Sequence, residues 1–182
     1  LWQEGGGDYC DIISIHNYQL DKLAAPEKTA IVDEYKAFVE WRDKNCPDKP
    51  VWDSEICWLS EPWSAPDWYG HGEIAHAQYT VRGVLLGLMS GMEKVIYFPY
   101  HSWRMEVNEL KYSHGGGLVR YDFDPRIAFA SYYTMVDLLA EAKFVRRIDL
   151  ASETAYALEF KTPMGVVTVA WTTDEATEYI TF

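Results

Sequence analysis

The residue of this chain best placed to do chemistry is Glu55. The run Val51-Trp-Asp-Ser-Glu55-Ile-Cys-Trp58 reads as a short buried strand that ends on a carboxylate and passes at once into aromatic residues. In α/β barrels the C-terminal tips of strands carry the reacting groups. A glutamate at such a tip suits attack on a sugar: the carboxylate supplies a nucleophile, and neighbouring indoles offer flat faces for the ring. Alternate strand residues share a face, so Glu55 is expected to line up with Asp53 and Val51, with Trp52 and Ser54 opposite. His16 and Tyr18 end an earlier apolar run. If the two strands are neighbours, either residue lies within hydrogen-bond reach of Glu55 and holds the carboxylate ionised and oriented. The competing reading is structural, with Glu55 paired to a lysine and His16 a satisfied core histidine.

Trp58, Trp63, Trp68, Tyr100 and Trp103 all fall in segments that follow strands. Five aromatics at one end of a fold suggest a ring-binding groove, against the simpler reading that they pack the loops together. His71 and His76 are five apart, point to different sides of a helix and have no third ligand nearby, so no metal is expected. Ser54 and Ser60 lack the glycine-flanked elbow of serine hydrolases. No cofactor is implied.

The elements that must position these residues alternate. Asp11–His16 is a β-branched run typical of a strand buried on both faces. Pro26 is expected to open a helix, with Ile31, Tyr35 and Phe38 as its apolar stripe. The Glu55 strand follows, then a Trp- and Pro-rich loop to Gly70 and a second helix from about Gly72 to Ser90, with Gly91 as its C′ residue. Lys94–Pro99 is the next strand, and Tyr100–Gly117 reads as a long loop. Asp124-Pro125 is expected to start a third helix. After Lys143 the texture becomes consecutive strands, Phe144–Leu150, Ala155–Lys161, Val166–Thr172 and Glu178–Phe182. The order is thus β-α-β-α-β-α and then antiparallel strands. An open nucleotide-binding sheet would carry a glycine-rich turn after its first strand; Gly5–Gly7 precedes that strand instead. Polar and aromatic residues gathered at strand ends favour a segment of an eight-stranded barrel.

The formal net charge of −12 argues against nucleic acid, and no apolar run approaches the ~20 residues of a membrane span. Cys10, Cys46 and Cys57 form no metal-ligand or disulfide pattern. The first residue is Leu1 and the last, Phe182, falls inside an expected strand, which suggests a segment of a longer protein. A secreted or periplasmic location is expected if a signal peptide precedes it.

At these residues the chain resembles clan A of the glycoside hydrolases, the retaining (β/α)8-barrel enzymes that include β-galactosidases, β-xylosidases and endoglucanases. Asp11-Ile-Ile-Ser-Ile-His-Asn-Tyr18 resembles the clan's sixth strand, and Pro50-Val-Trp-Asp-Ser-Glu-Ile-Cys-Trp58 the seventh, whose terminal glutamate is the nucleophile. Gln78–Arg82 through Gly91–Tyr97 resembles the seventh helix and eighth strand. Gly117–Asp122 with Pro125, and Tyr132–Lys143, resembles the last loop and helix. The resemblance implies an α/β fold: residues 1–143 as the C-terminal part of a TIM barrel, about strands 6 to 8, and 144–182 as the start of a β-sandwich. It implies a retaining hydrolase of β-linked glycosides with Glu55 as nucleophile, Tyr18 or His16 as its partner and Trp103 as a sugar platform. Together with the loop aromatics above, His16, Tyr18, Trp58, Tyr100 and Trp103 are expected to meet a carbohydrate substrate. Where many members have glycine, this chain has Cys57. The clan's acid/base glutamate follows an asparagine on the fourth strand; Asn108-Glu109 stands after the eighth, in the wrong order. The chain alone is therefore expected to be inactive and to need the N-terminal part of the barrel. The alternative is a non-catalytic carbohydrate-binding protein on a degenerate barrel.

Overall fold

A computed structural model describes residues 5–19, 24–61, 70–107, 110–113 and 115–173, with the backbone alone over 105–107 and 110–113. Two compact units, Leu1–Tyr132 and Tyr133–Phe182, divide within the third helix.

In the first unit, β1 (Ile13–Ile15), β2 (Val51–Ile56) and β3 (Lys94–Tyr97) form a parallel sheet in the order β1-β2-β3. Helix α1 (Ile31–Asn45) connects β1 to β2, and α2 (Glu73–Met89) connects β2 to β3. Parallel neighbours require such crossovers. Both helices meet the sheet on one face. A Cβ added at Gly87 of α2 would lie 2.6 Å from Val95 on β3 and 3.3 Å from the Tyr35 ring on α1. Val51, Asp53, Val95 and Tyr97 are buried on that side. The other face carries the cross-strand row Ser14, Trp52 and Lys94, with Lys94 Nζ 4.3 Å above the Trp52 ring.

Three expectations change. Pro26 opens a 3-10 turn, Pro26–Lys28, and α1 starts only at Ile31. Thr29 Oγ1 accepts the Ile31 N–H at 3.3 Å, satisfying one of the free donors of the helix start. The expected loop from Tyr100 to Gly117 contains an antiparallel hairpin, β4 (Arg104–Val107) with β5 (Leu110–Ser113). Its two connecting positions are Asn108 and Glu109, without the glycine that usually announces such a turn; those two residues lie outside the described ones. Helix α3 (Ile127–Leu139) begins two residues after Pro125, which instead bridges Val119.

Gly115 shows why glycines follow β5. A Cβ there would collide with the Glu61 backbone, while the Gly115 carbonyl accepts Ser60 N–H at 2.9 Å and Ser60 Oγ at 2.8 Å. Beneath it, the Tyr97 hydroxyl lies 2.8 Å from the Gly116 carbonyl, 3.2 Å from that of Trp58 and 2.8 Å from His76 Nε2. His76 is wholly buried, and burial together with Arg126 lowers its pKa from 6.5 to about 4. Above pH 6.5 the ring is neutral in folded and unfolded chains alike. Between pH 6.5 and about 4 the unfolded chain takes up a proton that the folded one refuses, so stability falls as pH falls; below that window the loss is complete. Chemical denaturation of the chain and of His76→Gln across this range should differ in slope by about 1.4 kcal/mol per pH unit. Parallel curves would show that His76 does not titrate in this way.

In the second unit β6 (Lys143–Arg147), β7 (Ala155–Thr162) and β8 (Gly165–Thr172) form an antiparallel sheet in sequence order. Phe144 meets Phe160 edge-on at 5.7 Å, and Arg147, Tyr156 and Trp171 stack across the three strands. The expected last strand, Glu178–Phe182, lies outside the described residues.

Candidate active site

The backbone at the end of β2 does not alternate as expected. Asp53 pairs with Val95 and Ile56 with Tyr97, so Ser54 and Glu55 together stand against the single residue Ile96. This is a β-bulge, which re-aims side chains beside the extra residue. Asp53 and Ile56 both take the helix-facing side, while Glu55 is released from the face that strict parity assigns it. Its carboxylate meets the end of β1 instead.

There the Tyr18 hydroxyl donates to Glu55 Oε2 at 2.8 Å, and His16 Nδ1 lies 3.3 Å from the same oxygen. The contact between the two strand ends expected from sequence is present, and no lysine takes the place of these partners among the described residues. The Glu55 side chain is 31% exposed, open enough to receive a ligand. Burial, and then the bond to Glu55, push the Tyr18 hydroxyl above its ordinary pKa, so it stays a donor at any working pH. The contacts of the Glu55 carboxylate among the described residues all fall on Oε2.

Behind Glu55 lies Asp53, with no exposed surface. Tyr35 Oη donates to its Oδ2 at 2.5 Å, and its Oδ1 faces the backbone N–H groups of Glu55 at 3.2 Å and Asn17 at 3.5 Å. Tyr35 was legible as part of the α1 apolar stripe but not as a donor.

The aromatic residues divide. Trp58 is 5% exposed, and its indole lies where a Cβ of Gly83 on α2 would stand. It is a core residue packed against α2, which corrects its expected place among the sugar-binding rings. Tyr100 is 61% exposed and meets Phe129 edge-on at 6.3 Å. Trp103 packs at 5.9 Å against Phe98, a ring the sequence reading assigned only to a strand. Phe98 N–H donates to the carbonyl of Ile56, the residue after Glu55, at 3.0 Å. That bond anchors the Phe98–Trp103 pair to the same strand end. Trp63 and Trp68 lie outside the described residues.

His71 stacks edge-on to Tyr79 while His76 bonds Tyr97, so the two histidines serve separate contacts. Among the described residues no group of three His, Cys, Asp or Glu is arranged to hold a metal ion. Cys57 is a free thiol whose pKa burial, with Glu55 nearby, raises to about 12. It is held protonated and is no nucleophile at neutral pH. The chemistry of the site therefore centres on one oriented carboxylate beside aromatic rings.

No family model and no curated protein matches the sequence. Solved structures do. A family 39 glycoside hydrolase from the gut symbiont Bacteroides cellulosilyticus WH2 matches with a TM-score of 0.68 and 22% identity, over 95% of this chain and 36% of that one. The β-glucuronidase of Faecalibacterium prausnitzii matches at a TM-score of 0.52 and 13% identity, over 71% of this chain and 22% of that one. The β-glucuronidase of Bifidobacterium dentium, solved with coumarin-3-O-glucuronide, gives 0.50 and 12%, over 72% and 21%. The chain spans 36% of the length of the first and 22% of the second. In fold, with its parallel and antiparallel sheets, the chain is similar to segments of glycoside hydrolases.

Proposed function

We propose that this chain is the C-terminal part of the catalytic (β/α)8 barrel of a retaining β-glycosidase, joined to the start of a β-sandwich, and that Glu55 is the nucleophile. The observation that carries the reading is the bulged end of β2, where a part-exposed carboxylate is held on one oxygen by Tyr18 and His16. In this mechanism the other oxygen attacks the anomeric carbon and forms a glycosyl-enzyme ester, which water then cleaves. Tyr18 and His16 hold one oxygen of the carboxylate and so keep the other turned toward the sugar. Phe98, Tyr100 and Trp103 stack on the sugar rings, a reading supported by the exposure of Tyr100 and the Phe98–Trp103 contact. Protonation of the leaving group falls to a second carboxylate from residues that precede this chain in the full-length protein, so the 182 residues alone are inactive.

Treating the full-length protein with an activated 2-deoxy-2-fluoro β-glycoside traps the ester, and peptide mapping then locates it. The label is expected on Glu55. A label on any other residue overturns the assignment, and turnover without a covalent intermediate would favour a water-mediated, inverting route. In Tyr18→Phe the carboxylate loses a hydrogen bond worth about 2 kcal/mol, so a fall in kcat of roughly thirtyfold is expected in steady-state assays. Wild-type kcat in that variant would show that Tyr18 does not orient Glu55.

A further inference from the structure

Asp53 is a fully buried carboxylate that no lysine or arginine pairs with among the described residues. Withdrawing a carboxylate from water without such a partner is costly. Burial accordingly pushes its pKa up, opposed by the bonds from Tyr35, Glu55 and Asn17. What offsets that cost is the set of donors that converge on it.

What it holds is the backbone of the site. The extra residue in a bulge loses its place in the sheet ladder, and a buried N–H must find another acceptor. Asp53 Oδ1 takes the Glu55 N–H at 3.2 Å. The same oxygen faces the N–H of Asn17, the residue between His16 and Tyr18, at 3.5 Å. Its other oxygen is tied to Tyr35 on α1. One buried carboxylate thus connects the main chain beneath Glu55, the main chain between both of its hydrogen-bonding partners, and a helix on the far side of the sheet.

We infer that Asp53 is a positioning residue which, anchored by Tyr35, holds the Glu55 bulge and the His16–Tyr18 segment in register and so sets the aim of the Glu55 carboxylate. The inference rests on the proposed nucleophile. Asp53 touches no substrate; it acts through the backbone. Its effect belongs in the rate of bond formation, because a misplacement of about 1 Å costs on the order of a hundredfold. Ligand binding by the aromatic rings should be little affected.

The test is time-dependent inactivation of the full-length protein by the fluoroglycoside, with the inactivation rate constant and the inhibitor binding constant resolved separately. Asp53→Leu removes both acceptor oxygens and should slow inactivation on the order of a hundredfold, with binding changed by less than about threefold. Asp53→Asn keeps one acceptor oxygen for the N–H groups and should recover part of the rate. Tyr35→Phe removes the anchor alone and should slow inactivation about tenfold. If Asp53→Leu fails to fold by circular dichroism, Tyr35→Phe decides. Wild-type rates in the folded variants overturn the positioning role while leaving Glu55 as nucleophile. A wild-type protein labelled elsewhere overturns the nucleophile itself, and that result is read before any variant is made. A loss confined to inhibitor binding also overturns the inference, since it would make Asp53 part of the binding surface.

Discussion

Glu55→Ala in the full-length protein is expected to lower kcat on an aryl β-glycoside on the order of 10⁵-fold, and sodium azide is expected to restore turnover with the opposite anomeric configuration. A retaining reaction inverts the anomeric carbon twice, first by the carboxylate and then by water. Without the carboxylate the first displacement has no nucleophile, while aromatic stacking and leaving-group protonation survive, so KM should move far less than kcat. The shortened side chain leaves room beside Tyr18 and His16 for a small anion. Azide attacking there inverts once, and proton NMR of the product should show an α-glycosyl azide. A β-configured azide, or a variant of near wild-type activity, would refute Glu55 as nucleophile.

Trp58→Ala is expected to cost about 3–5 kcal/mol of stability, the usual range for emptying a buried indole site. Its ring fills the space that glycine leaves at position 83 of α2, and its carbonyl lies within bonding distance of the Tyr97 hydroxyl. The loss should appear in urea denaturation of the 182-residue chain as a lower midpoint. Trp58→Phe should recover much of it. If Trp58 were a sugar platform, the alanine variant would keep its stability and lose affinity selectively; that pattern would contradict the burial of this residue.

The surroundings of Glu55 and of Trp58 show what the sequence could and could not convey. Strand tips followed by aromatics marked the end of the sheet where Glu55 meets Tyr18 and His16, because β-branched runs, helix stripes and their alternation depend on local periodicity. Glu55 and its partners His16 and Tyr18 were legible for that reason. The bulge was not. A single extra residue changes the face of everything after it, and nothing in Asp53-Ser54-Glu55 distinguishes a bulged strand from a regular one. Trp58 was misplaced because the identity of an aromatic says nothing of depth; the clue lay 25 residues on, in the helical Gly83 that makes room for it. The β4–β5 hairpin escaped for want of turn glycines. Asp53 was legible only as a neighbour of Glu55 on the same strand; its link to Tyr35 joins residues that only the crossover helix brings together.

The backbone bonds from His71 N–H to Leu59 O and from Gly72 N–H to Ser60 O, at 2.8 and 2.9 Å, cinch together the two ends of the sequence between positions 61 and 70. With its ends tied in this way, doubling the length of the intervening sequence costs only about 0.6 kcal/mol. Insertions at positions 62–69 are therefore expected to leave the frame that carries Glu55 unchanged.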